Sequence, residues 1–115
     1  MANPFKVVTK AGVTSADVIY TAGSGVTAIV LGLILGNTTT SQITSTVTLS
    51  SDTSSRAGAN DEANQAVELI TDAPIPAGSS LELLSGNKVV LETTDTISVT
   101  GSGATDVALS IMEIT

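Results

Sequence analysis

A chain of 115 residues has room for one domain, and it carries eleven acidic against four basic residues, a formal net charge of −7. It has no cysteine, histidine or tryptophan, which excludes disulfide staples, thiolate and imidazole metal sites, and histidine-based acid–base catalysis. The four cations, Lys6, Lys10, Arg56 and Lys88, are scattered along the chain, so neither nucleic acid nor an anionic membrane surface is an expected partner.

The opening MANPFKVVTKAG has no apolar core of the secretory-signal kind, because Lys6 and Lys10 interrupt it around Val7 and Val8. Phe5 to Thr9 reads as a first strand. A turn-rich KAGVTSA leads to a second, DVIYTA (17–22), and Gly23-Ser24-Gly25 reads as a tight hairpin turn, since glycine tolerates positive φ.

A long strand, Val26 to Asn37, follows. Within it, Ala28 to Gly36 is an unbroken run without a polar side chain. The run is far shorter than the roughly 20 residues of a membrane helix, and its glycines oppose a helix of any kind. Read as a strand of strict period two, it is apolar on both faces. Ile29, Leu31, Leu33 and Leu35 make one face, and Ala28, Val30, Gly32, Ile34 and Gly36 the other. A sandwich covers one face of each sheet, so the second needs another cover. The expectation is a subunit interface at Val30, Gly32 and Ile34, because exposed apolar patches on globular chains mark contacts. On this reading Ile34→Asp blocks assembly or folding.

ITSTVTLS (43–50) alternates cleanly, with Ile43, Val47 and Leu49 inward and Thr44, Thr46 and Thr48 outward. A charge at Thr46, on the wet face, is therefore expected to be nearly neutral. A polar loop spans 51–64. The segment 60–70, NDEANQAVELI, has some helical character, but its Val67-Glu68-Leu69 alternation predicts strand. Then come AVELITDA (66–73), the bend PIPAGS (74–79), and SLELL (80–84). SGNK reads as a hairpin turn into VVLET (89–93), and TISVT (96–100) follows. Gly101-Ser102-Gly103 reads as another hairpin turn, into the last strand, DVALSIMEIT (106–115). Eight or nine short strands in one domain, residues 1–115, predict an all-β fold, an antiparallel β-sandwich of jelly-roll-like form.

Candidate chemistry is thin. Asp52, Asp61 and Glu62 offer carboxylates for a glycosidase pair or a calcium ion. They lie in the polar loop, with one Phe and one Tyr in the whole chain to build a sugar platform and no calcium-loop spacing, and they read as a solvated loop. A Ser–Lys dyad would need Lys6, Lys10 or Lys88 buried beside a serine, and each sits at a strand end or turn. The two Gly-Ser-Gly segments open no helix and are not followed by Lys-Ser/Thr, so they are turns and not phosphate loops. Asn37-Thr38-Thr39 fits the glycosylation acceptor pattern, and Tyr20 reads as core or rim filler. No catalytic, cofactor-binding or metal-ligating residue is assigned, and the inventory points away from an enzyme.

The half from 72 to 115, DAPIPAGSSLELLSGNKVVLETTDTISVTGSGATDVALSIMEIT, resembles small virion structural proteins of tailed bacteriophages, especially marine and cyanobacterial ones. The shared features are the PIPAG bend, the KVVLE strand, the DTI strand start and the closing LSIMEIT. The earlier VIYTAGSGVTAIVLGLILGNTT is similar to that group as well. The resemblance implies a β-sandwich subunit present in many copies on a phage particle, without catalytic residues or cofactor. The leading expectation is a capsid decoration (cement) protein on the virion surface. It would form a homo-oligomer, a trimer for choice, and bind the major capsid protein or other virion proteins. A neck, tail or fibre-associated subunit is the alternative. A host-surface carbohydrate-binding module comes third, because such modules present aromatic side chains that are scarce here.

Overall fold

The computed structural model describes residues 3–51, 65–84 and 86–115. The candidate carboxylates Asp52, Asp61 and Glu62 lie outside the described residues. Among the described residues nine strands run in the order β1 (Phe5–Val13), β2 (Asp17–Thr21), β3 (Thr27–Asn37), β4 (Ile43–Ser51), β5 (Gln65–Ile75), β6 (Ser80–Leu83), β7 (Val89–Leu91), β8 (Thr96–Gly101) and β9 (Thr105–Ile114). Threonine, valine and isoleucine fill these segments, and their branched side chains pack well on a pleated surface.

The strands form two antiparallel sheets. The first has the order β1-β9-β3-β6, with β7 also paired to β3, and the second has the order β2-β8-β4-β5. Successive strands mostly alternate between sheets, and β1, β9, β3 and β6 lie in the same left-to-right order as their chain neighbours β2, β8, β4 and β5. This is the strand order of a jelly roll, two Greek keys wound into a double sheet. The predicted fold class holds.

β6 and β7 explain why eight and nine were both reasonable counts. They do not pair with each other as a hairpin. β6 lies along Leu33–Gly36 and β7 along Ala28–Val30 of the same strand. Together they make one interrupted edge strand. Residues with positive φ, Leu84 and Gly86, lie in the interruption. The two Gly-Ser-Gly turns also differ from expectation. Each joins strands of different sheets, β2 to β3 and β8 to β9, so they cross between layers and are not hairpin turns. At the second crossing a Cβ on Gly101 would lie 2.7 Å from the carbonyl oxygens of Gly103 and Val13, a spacing that only glycine tolerates.

The core lies between the sheets and is built from inward-facing positions. Val30, Leu33, Leu35, Leu109 and Ile111 of the first sheet meet Ile43, Val47, Ile75, Ile97 and Val99 of the second. Burial of side chains of this size contributes about 1.5–3 kcal/mol each. One polar hub closes an end of the sandwich. Asn37 is only 2% exposed. Its side-chain amide donates to the carbonyls of Ser41 (2.8 Å) and Ile75 (2.9 Å), and its Oδ1 accepts from the backbone N and hydroxyl of Thr39. The glycosylation pattern at Asn37 thus marks a buried, fully bonded amide with no room for a glycan.

Candidate assembly face

The long apolar strand resolves into two halves. β3 pairs Val30 with Ile111 and Gly32 with Ser110, adjacent residues on β9, so Leu31 is an extra residue. Such a bulge shifts the alternation by one. Before it, Ala28 and Val30 face the core, and after it Leu33, Leu35 and Asn37 do. The expectation that Val30, Gly32 and Ile34 share one outer face is corrected here. Val30 is completely buried within the subunit, while Ile34 is 45% exposed and Gly32 lies beside it on the outer surface. Strict period two fails because the strand carries one residue more than its partner.

The bulge also sorts the outer face of the first sheet into rows across the strands. Phe5, Met112, Ile29 and Val90 lie side by side through successive pairings. Val7, Ser110 and Gly32 form the next row, and Thr9, Ala108, Ile34 and Glu82 the one after. Phe5 is 73% exposed, Val7 62% and Val90 52%. The strand pairings place the charges Glu82 and Asp106 on this face, Lys88 and Glu92 flank the short strand that carries Val90, and Asp106 already accepts a hydrogen bond from the backbone N of Gly12. Strand spacing and rise give the face a projected area of roughly 450 Å², more than half of the about 800 Å² per partner in a standard protein interface.

Between the rows the surface dips. A depression of about 150 Å³ is lined by Leu31, Gly32, Ile34, Glu82, Leu83 and Ser110. It lies at the bulge, beside the gap between β6 and β7. A Cβ on Gly32 would meet nothing within 4 Å, so the missing side chain is part of what makes the hollow.

The outer face of the second sheet is mostly hydroxylated, with Val18 exposed beside Ser98 at its edge. Thr46 pairs with Thr100, Thr48 with Ser98 and Ser50 with Thr96, a ladder of hydroxyls suited to water. One of these residues is more than wet filler. Thr46 Oγ1 accepts from the backbone N of Asp72 at 3.0 Å, at an irregularity between β4 and β5 where Asp72 has φ 47°. The expectation that a charge at Thr46 is neutral is therefore corrected, since a carboxylate there would face Asp72.

The long sheet edges are guarded against strand addition. Edge strand β1 has Lys6 and Lys10 at inward register positions, and its pairing is irregular near Gly12, whose φ is 69°. Edge strand β5 carries Glu68, the irregularity at Asp72, and Pro74. Charges, bulges and proline on an edge all oppose pairing with a second chain.

The edge lysines are engaged. Lys10 approaches Asp17 at 3.8 Å, and Lys6 Nζ lies 2.7 Å from Glu113 Oε1. Tyr20 donates its hydroxyl proton to Glu113 Oε2 at 2.6 Å. This chain of three side chains clasps β2 of the second sheet to β9 and β1 of the first. Burial and then the bond to Glu113 push the Tyr20 phenol well above its ordinary range. The bonds from Lys6 first and Tyr20 second hold the Glu113 carboxyl below its ordinary range. Reading Tyr20 as filler misses the clasp. Its signal in the sequence is Glu113, a charge two residues from core residue Ile111 and on the same side of β9.

Among the described residues no three acidic side chains converge as a metal site, and no helix is long and apolar enough to cross a membrane. No protein-family model and no curated protein sequence matches the chain. Among solved structures it is similar to a chain from the work "Bacillus endospore appendages form a novel family of disulfide-linked pili". The identity is 16% over 97% of this chain and 84% of that one, with a TM-score of 0.48.

Proposed function

We propose that this protein is a structural subunit, without catalytic role or cofactor, that acts by covering and joining protein surfaces on a virion. Its place is the capsid surface of a tailed phage, where it decorates the shell formed by the major capsid protein. The observation that carries this reading is the contrast between the two outer faces. One sheet shows water a hydroxyl ladder edged by Val18, while the other shows rows that carry Phe5, Val7, Ile29, Ile34, Val90 and Met112 with few charges among them. Guarded edges direct association away from strand addition and onto that apolar face.

The fold is compatible with the proposal but does not choose it, because jelly rolls serve viral capsids and lectins alike. The choice of a phage particle rests on the resemblance of residues 72–115 to small phage virion proteins. A sugar-binding role is disfavoured because the apolar face offers Phe5 as its single aromatic side chain. Gold-labelled antibody raised against the chain and applied to intact virions from the same source tests the reading. Label spread over the head supports it, label confined to the neck, tail or fibres moves the subunit there, and unlabelled particles refute it.

A further inference from the structure

Phe5 is the most exposed large apolar side chain among the described residues, at 73%. It stands on the same flat sheet face as the depression at Gly32. Strand spacing and rise place the two about 15 Å apart on that face. The depression measures about 150 Å³, opens to the surface, and is lined by Leu31, Ile34 and Leu83 together with the polar Glu82 and Ser110, and its volume is enough for a benzene-sized ring. Knob and hole therefore match in size, lie on one surface, and cannot reach each other within one subunit.

We propose that the apolar face of the first sheet is covered by a second copy of this chain, with Phe5 of each copy seated in the Gly32 depression of the other. The symmetry follows from the placement. When two copies lie face to face, a two-fold axis in the contact plane, along the perpendicular bisector between knob and hole, superimposes each Phe5 on the other copy's hollow. One operation seats both rings, which makes the contact isologous and closed. The face supplies more than half of a standard interface, and its neighbouring rows pack sheet on sheet. Few charges oppose the approach, since the strand pairings place Glu82 and Asp106 on that face, with Lys88 and Glu92 at the ends of β7.

This contact deepens the assembly reading and rests on it, but the two fail separately. Sedimentation equilibrium is measured on the wild type, on Phe5→Ala, on Gly32→Leu, and on an equal mixture of the two variants. Phe5 is exposed and a side chain at Gly32 has open space, so both variants keep the fold, and thermal melting verifies it. The expected result is a wild-type dimer and a loss of pairing of about thirtyfold in each variant, the effect of removing a central aromatic anchor. The mixture recovers part of the affinity, because a heterodimer keeps one intact knob and one intact hole.

A wild type that pairs no more tightly than either variant overturns the contact and leaves the assembly reading standing. So does a mixture that recovers nothing. A trimeric mass overturns the two-fold. A wild type that stays monomeric at about millimolar concentration overturns the self-association altogether, and virion labelling then decides the assembly reading by itself.

Discussion

Few side chains of this protein are charged, and those placed between the sheets are paired with care. Glu113 is the clearest case. Its carboxyl titrates below the ordinary 4.5, held there by Lys6 and Tyr20, so the fold favours the charged form. The clasp therefore contributes fully at pH values above about 4.5 and is lost as the pH falls through the lower folded value. Urea midpoints measured between pH 7 and pH 3 should show the wild type losing its advantage over Glu113→Gln across that acid limb. Parallel curves would mean that the clasp holds nothing. Thr46 makes a second case. Thr46→Asp removes a hydroxyl that accepts from Asp72 N and sets two carboxylates together, and it should cost about 1–2 kcal/mol in urea denaturation. Thr46→Ser keeps the acceptor and should lose much less.

At the scale of elements, the bulge in β3 decides which residues become core and which become surface. Leu31 is the unmatched residue, so its deletion leaves Val30 opposite Ile111 and Gly32 opposite Ser110 as neighbours in a regular ladder. That variant should fold, with its circular dichroism nearly unchanged and a modest loss of stability. Deleting Ile34 instead turns Leu35 and Asn37 outward, and the protein should fail to fold, seen as loss of the cooperative melting transition. The same strand shows how far the sequence can be read. Strands, their number and the sandwich are legible because alternation of Thr with Ile, Val and Leu is a local property. ITSTVTLS places every side chain on its proper face up to Leu49. In TAIVLGLILGN both faces are apolar, so the period cannot reveal that one residue is extra. The bulge is set by pairing with β9, at the other end of the chain, and strand segments give no local sign of such a partner. Of the three residues expected at an interface, Gly32 and Ile34 consequently lie on the outer surface, and Val30 lies within the subunit. Ile34→Asp, which from sequence threatens either folding or assembly, should now report on assembly, because Ile34 is 45% exposed in the single subunit.

For the molecule as a whole, charge and greasiness pull in opposite directions. Each subunit carries a formal −7, and two copies brought together repel over a distance comparable to the Debye length, about 10 Å at 0.1 M salt. The proposed contact itself is apolar, and no cation–carboxylate pair across it is needed to hold it. Raising ionic strength from about 0.02 M to about 0.3 M screens the repulsion while leaving hydrophobic burial intact. Self-association should therefore tighten with salt, by severalfold in dissociation constant, as measured by sedimentation at constant pH. Binding to nucleic acid or through ion pairs would weaken over the same range, so a dissociation constant that rises with salt would show that charges, and not the outer face of the first sheet, bring the copies together.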